Sequence, residues 1–205
     1  MTEDNILATV LAGGKSRRFG SNKSEIMLKD KKLIDYTLEK LKTEFKKIII
    51  ISNDLNFKNY TTIKDCIDGQ LGPLAGVLSA MKWAKINNNN CNWIATFPCD
   101  TPFFNISFIE KFKKEVKKGD SKLYFVKAKN KLHNIFGLWS IELADQLEED
   151  LVINKERKVE NWANKIGVKT INVEDEKYDT FFNINTKDDL KYAKDIFDKI
   201  ENDKL

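Results

Sequence analysis

Residues 11–28, Leu-Ala-Gly-Gly-Lys-Ser-Arg-Arg-Phe-Gly-Ser-Asn-Lys-Ser-Glu-Ile-Met-Leu, restrict the fold more than any other stretch, because they join an apolar strand to a glycine loop studded with cations. The run 6–11 has the bulk of a buried strand. Ala12-Gly13-Gly14 then lets bare backbone N–H groups approach an anion that a Cβ would push away. Lys15, Arg17, Arg18 and Lys23 bring positive charge to the same place, enough to offset much of a triphosphate's charge. A loop of this kind is built to hold phosphates.

Three further readings of the loop compete. Gly14-Lys15-Ser16 imitates the end of a Walker A loop, but that motif needs a glycine where this chain has Thr9, inside the strand. A dinucleotide fingerprint needs Gly-x-Gly-x-x-Gly, and Gly13, Gly14 and Gly20 are not so spaced. For the loop taken alone, a plain glycine turn with surface cations is the remaining alternative.

Beyond the loop, apolar β-branched runs alternate with amphipathic ones, the pattern of a mostly parallel sheet covered by helices on both faces. Strands are predicted over 6–11, 47–52, 61–63, 93–97, 123–128, 135–139 and 169–173, and helices over 33–42, 73–85, 107–117, 141–149, 158–166 and 186–200. Pro73 after Gly72 fits a helix start, and Thr186 with Asp189 resembles a capping box. In such sheets ligands sit at the carboxyl ends of the strands, where strand order reverses. Leu11, Asn53, Asp65 and Asp100 all fall at or just past predicted strand ends, so they should converge.

A length of 205 residues suits one sizeable domain. A hydrophobic content of 41% supports a real core, and 32% charged residues with a net charge of +4 are too balanced for a dedicated nucleic-acid binder. No apolar stretch is long enough to span a membrane, and the start Met1-Thr2-Glu3-Asp4-Asn5 is acidic where a secretory signal is basic, so a cytoplasmic protein is expected. Cys66, Cys91 and Cys99 lack Cys-x-x-Cys spacing and the chain has a single histidine, so each cysteine reads as a reduced, partly buried packing residue. Trp139 and Trp162 read as core, and the asparagines at 87–90 as a surface loop tip.

Leu-Ala-Gly-Gly-x-Ser-x-Arg-x-Gly-x-x-Lys resembles the signature of nucleotidyltransferases that attach a nucleoside monophosphate to a phosphorylated acceptor. Gly72-Pro73-Leu74-Ala75-Gly76, Phe97-Pro98-Cys99-Asp100-Thr101-Pro102 and Phe182-Asn183-Ile184-Asn185-Thr186 follow in order. Together the four blocks are similar to those of the molybdenum cofactor guanylyltransferase family, over nearly the whole chain. The resemblance implies a Rossmann-like, three-layer α/β/α fold of the nucleotide-diphospho-sugar transferase type. Within the single domain, residues up to about 100 would form a nucleotide-binding half and the remainder an acceptor-binding half.

The same resemblance assigns roles. Leu11, Ala12, Gly13, Gly14 and Lys23 would hold the phosphates, and Lys23, helped by Arg18, would stabilise charge on the reacting phosphoryl group. Asp100, behind the rigid Pro98, would hold Mg²⁺ and contribute to catalysis. Asp65, preferred over Asp68, would contact guanine or ribose, with Asn53 offering its amide nearby. Gly72, counted with the nucleotide-binding residues, opens a helix whose free N–H groups suit a hydrogen-bond acceptor of the ligand, and helix–sheet packing through small residues is an alternative compatible with that role. His133, Arg157, Lys158, Asn183 and Asn185 fall in the acceptor blocks, although many relatives have His-Pro where this chain has His133-Asn134, and a packing histidine is an equal reading.

The implied reaction joins GTP to molybdopterin or molybdenum cofactor, in a monomer making at most transient contact with other proteins of that biosynthesis. Rival readings are the same chemistry with CTP and the pterin, transfer to a sugar or polyol phosphate, and a non-catalytic nucleotide sensor.

Overall fold

The computed structural model describes residues 5–13, 22–69, 71–88, 90–174 and 178–203. Its main sheet contains β1 (Ile6–Leu11), β4 (Ile48–Ile51), β5 (Thr61–Ile63), β6 (Trp93–Pro98), β7 (Leu123–Ala128), β8 (Lys131–Ser140) and β9 (Lys169–Asn172), in the order β5-β4-β1-β6-β8-β7-β9. Only β8 runs against its neighbours, so the sheet is mostly parallel. A hairpin of β2 (Met27–Leu28) and β3 (Lys31–Lys32) stands apart. The helices are α1 (Leu33–Lys42), α2 (Pro73–Asn87), α3 (Phe108–Lys118), α4 (Ala144–Val152), α5 (Val159–Ile166) and α6 (Lys187–Asn202).

Side chains of successive strand residues point to opposite faces, and that alternation divides the core in two. Ala8, Val10, Ile50 and Phe97 pack under α1 and α3, while Leu7, Ile49, Ile51 and Ile94 pack under α2, α4 and α5. The result is a three-layer α/β/α arrangement. Because α2 is wedged between the sheet and α4, it is apolar nearly all round rather than amphipathic. Trp139 and Trp162 are fully buried, stacked at 5.9 Å between centroids, as expected for core residues. A smaller cluster joins the hairpin to α6 through Leu28, Leu33, Ile184 and Ala193.

Several predicted boundaries move. The strand predicted over 135–139 extends from Lys131 to Ser140, because its polar first half pairs with β7 and needs no buried face. The helix predicted from 141 begins as a 3₁₀ turn, Ile141–Leu143, with the α-helix starting at Ala144. The hairpin was not predicted; strands of two residues carry no period. Cys66 is exposed rather than partly buried, since it opens the loop after β5, whereas Cys91 and Cys99 are buried. No helix among the described residues is long and apolar enough to cross a membrane.

Strand order reverses around β1, whose neighbours are β4 on one side and β6 on the other. The crevice expected at such a switch point lies past Leu11, which pairs with both Ile51 and Pro98.

Candidate active site

A cavity of about 500 Å³ opens there, lined by the ends of four adjacent strands, β5, β4, β1 and β6, and by the middle of β8. Asp65 follows β5, Ile51, Asn53 and Asp54 belong to the end of β4, and Leu11 and Gly13 to that of β1. Pro98, Cys99 and Asp100 come from β6, and Ile135 from β8. Gly72, Pro73 and Gly76 close one side from the start of α2, and Lys23, Asn183 and Asn185 complete the wall.

Lys23 opens a short 3₁₀ turn that Asn22 caps, its side-chain oxygen accepting from the Ser24 N–H at 3.1 Å. The cap fixes the start of the turn, and the Lys23 ammonium donates to Asp100 Oδ2 at 2.9 Å and to Asn185 Oδ1. Asp100 leaves the rigid end of β6 and its backbone carbonyl accepts from the Ile184 N–H at 2.9 Å, tying the β6 end to the segment before α6. That segment is held in turn by α6: the Asp189 carboxylate accepts from the N–H groups of Asn185 and Thr186, and Thr186 caps the helix reciprocally. The predicted capping box is therefore present and also positions Asn185. The Thr101 hydroxyl, fully buried, donates to Asn183 Oδ1 at 2.6 Å.

At the opposite end, Asn53 and Asp65 bind each other twice. Asn53 Nδ2 donates to Asp65 Oδ2 and the Asp65 N–H donates to Asn53 Oδ1, both at 2.8 Å. Burial pushes the Asp65 carboxyl above the usual carboxylate range, and the Asn53 bond opposes that shift. Gly76 leaves room for this corner: a Cβ there would lie 3.1 Å from a Leu11 methyl, 3.3 Å from an Ile51 methyl and 3.7 Å from Asp65 Oδ1.

Of the residues singled out in the sequence, Leu11, Gly13, Lys23, Asn53, Asp65, Gly72, Asp100, Asn183 and Asn185 line one cavity. Ala12 does not; it is buried, and its N–H donates to the Ile51 carbonyl at 2.9 Å instead of remaining open to an anion. Gly14 and Arg18 lie outside the described residues, as do Lys15 and Arg17. His133 is half-buried and stacks on Phe181 at 4.5 Å, away from the cavity wall. Burial, with the nearby Lys131 charge, holds its imidazole below the usual range, against an opposing pull from Asp179. The Arg157 guanidinium donates to the carbonyls of Leu151 and Glu156, both at 2.7 Å, so it braces its own loop; only its backbone carbonyl comes near Gly72. Lys158 precedes α5 and does not line the cavity either.

Sequence reading passed over Asp54, Cys99 and Ile135. Asp54 and Cys99 adjoin chosen residues and could have been included on that ground. Nothing in the local pattern marks Ile135.

This geometry can seat a ligand across the strand ends and set one ammonium, beside three carboxylates, against it. The family model described as MobA-like NTP transferase domain matches residues 8–168. The chain belongs to that family. The chain is 30% identical over 189 residues to a molybdenum cofactor guanylyltransferase of Rhizobium rhizogenes, covering 88% of this chain and 87% of the other. It is 29% identical to that of Haemophilus influenzae, covering 91% and 96%. Among solved structures it resembles molybdopterin-guanine dinucleotide biosynthesis protein A from Archaeoglobus fulgidus, at 28% identity and a TM-score of 0.75 over 94% of this chain and 99% of that one. The MobA-like protein is thus a nucleotidyltransferase, with the fold implied by its four sequence blocks.

Proposed function

We propose that this protein transfers the GMP unit of GTP to the terminal phosphate of molybdopterin or its metal-loaded form, releasing pyrophosphate and forming the guanine dinucleotide cofactor. The observation that carries this reading is the Lys23 ammonium held between Asp100 and Asn185 on the wall of a cavity that crosses the ends of four strands and the middle of a fifth.

In this reaction a terminal phosphate oxygen of the acceptor attacks the α-phosphorus in line. The bond to the bridging oxygen breaks, and its electron pair leaves with pyrophosphate. Negative charge grows on the phosphoryl oxygens as the fifth bond forms, and a fixed ammonium stabilises that charge more than the ground state. Lys23 is suited to the task because two partners hold it in place before substrate arrives. No protein nucleophile is needed, and positioning with fixed charge supplies the acceleration. Asn53 and Asp65, rigidly paired, serve the nucleoside, while Asn183 and Asn185 serve the acceptor.

The described cavity wall carries the carboxylates of Asp54, Asp65 and Asp100 against the single ammonium of Lys23. A triphosphate there calls for further positive charge, which Arg18 and its neighbours in the glycine loop supply in part. A divalent cation fits the rest. Asp100 is the residue that would hold Mg²⁺: its carboxylate is 13% exposed, and among the described residues Oδ1 has only a long contact of 3.4 Å from the Thr101 hydroxyl. Magnesium commonly takes one or two protein carboxylates and fills its shell with water and phosphate oxygens. Bound there, it would neutralise phosphate charge and polarise the reacting group.

The reading places a monomer in the cytoplasm, its nucleotide half drawn from residues up to about 100 and its acceptor half from the remainder. The test is incubation with each of GTP, CTP, ATP and UTP, magnesium and molybdopterin, following pyrophosphate release and product mass. The guanine dinucleotide is expected from GTP alone. A product from CTP alone would replace the guanylyl assignment, and pyrophosphate release no greater than that of Asp100→Ala would leave a nucleotide sensor.

A further inference from the structure

Strand β8 contains an irregularity that the reaction above does not use. Phe125 of β7 pairs with Gly137, but the next residue, Val126, pairs with His133, so Asn134, Ile135 and Phe136 have no partner on β7. On the other side the ladder with β6 stops at Thr96 and Gly137. Extra residues on one strand bend it and re-aim its side chains. Phe136 turns into the core beneath α1 and α3, with ring centroids 5.1 Å from Phe104 and 5.0 Å from Phe181. Ile135 stays half-buried and lines the cavity.

The bulge is pinned from β6. The Trp139 indole N–H donates to Thr96 Oγ1 at 2.8 Å, so the Thr96 hydroxyl proton is left to donate to the Ile135 carbonyl at 2.7 Å. Thr96 and Trp139 are both fully buried, where a hydrogen-bond chain is strong and its loss costly. Gly137 permits the chain, because a Cβ there would sit 2.6 Å from the Trp139 indole nitrogen. Ile135 is therefore held in place from both faces of the sheet.

Its position along the cavity gives it a role. Asp65 and Asn53 stand at the β5–β4 end, Lys23 and Asp100 stand in the middle, and Ile135 stands at the β8 end. On the function proposed above, on which this step rests, the nucleotide occupies the β5–β1 side and the acceptor enters from β8. We infer that Ile135 is a specificity-determining contact for the acceptor, an apolar wall for the face of a flat heteroaromatic phosphate such as a pterin. A branched aliphatic side chain packs well on such a face and offers nothing to the hydroxyls of a sugar or polyol phosphate. Asn183 complements it: its amide oxygen is taken by Thr101, which leaves the NH₂ group for an acceptor atom of the ligand.

The test titrates wild type, Ile135→Ala and Ile135→Leu with a fluorescent pterin phosphate, and separately with GTP and Mg²⁺ by calorimetry. Removing the outer carbons of Ile135 is expected to raise the Kd for the pterin about tenfold or more. Ile135→Leu should stay within about twofold of wild type, and the GTP Kd should not change in either variant. Thr96→Val, which removes the pin, should weaken pterin binding as well, and Thr96→Ser should restore it. Equal pterin affinity in Ile135→Ala, no pterin binding by wild type, or a parallel loss of GTP affinity would overturn the inference. Pterin binding that depends on Ile135 in a protein that ignores GTP would support it while defeating the guanylyl reading.

Discussion

The Lys23 ammonium lies 2.9 Å from Asp100 Oδ2, and the two residues are separated by 77 positions in the chain. Their side chains are only 24% and 13% exposed, so the cost of desolvating both charges offsets much of the attraction and the pair is weak evidence for stability. On the proposed function, its value is in holding a cation where the reaction develops negative charge.

Lys23→Met is therefore expected to lower kcat by roughly 10²–10³-fold, the usual effect of losing one preorganised donor. Lys23→Arg should not restore the rate, since a planar fork cannot replace a point charge between Asp100 and Asn185. Pyrophosphate release measures both, and circular dichroism melting should show the fold retained.

Asp65 makes a prediction about stability that runs against its use. Burial raises its pKa in the folded state, so the fold favours the protonated form. The stability this group contributes is present below the unfolded carboxylate pKa and is lost as pH rises through the folded value. Above that folded value the charged form of Asp65 is a cost. Asp65→Asn should melt at a higher temperature than wild type at pH 7, with the gap closing in acid, while nucleotide affinity falls. Thermal melting from pH 4 to 8 with and without GTP checks both halves.

Asp150 behaves in the opposite way. It is buried between α4 and α5 and accepts from Gln146, Asn154, Trp162 Nε1 and Lys165. Burial alone would raise its pKa, but these bonds outweigh burial and hold the carboxyl below the usual range. Its contribution is present above the unfolded carboxylate pKa and disappears as pH falls through the folded value. Asp150→Ala orphans the buried Trp162 N–H and should cost about 1–3 kcal/mol at neutral pH. Urea denaturation should find the difference from wild type shrinking in acid.

The cysteines give a simple check of burial. Cys66 is exposed, while Cys91 and Cys99 are buried with thiols pushed upward, mainly by desolvation. Titration of the native protein with an aromatic disulfide should label one thiol rapidly, and denaturation should release the other two.

Much of the fold was legible because period and propensity agree in it. The runs 6–11, 61–63 and 123–128 are strands with the predicted limits, and α1 spans the predicted residues, since each is bounded by polar or turn-forming neighbours. The convergence of Leu11, Asn53, Asp65 and Asp100 followed from where ligands sit in parallel sheets. The α6 start was readable from its capping box. Ile135 was not readable, because its orientation depends on a three-residue bulge fixed through Thr96, a partner on another strand 39 positions away. Motif position proposed His133 and Arg157 for the acceptor; the structure sets neither on the wall of this cavity, with His133 stacked on Phe181 and the Arg157 guanidinium on two backbone carbonyls, contacts that no local pattern announces.

The bond from Lys23 to Asn185 spans 162 positions of sequence. A nascent chain that has emerged only as far as β7 already contains Lys23 and Asp100 but has nothing to supply the third corner. The arrangement around Lys23 is therefore complete only once the segment ahead of α6 has docked, so the far C-terminal part of the chain finishes a corner that the N-terminal part begins.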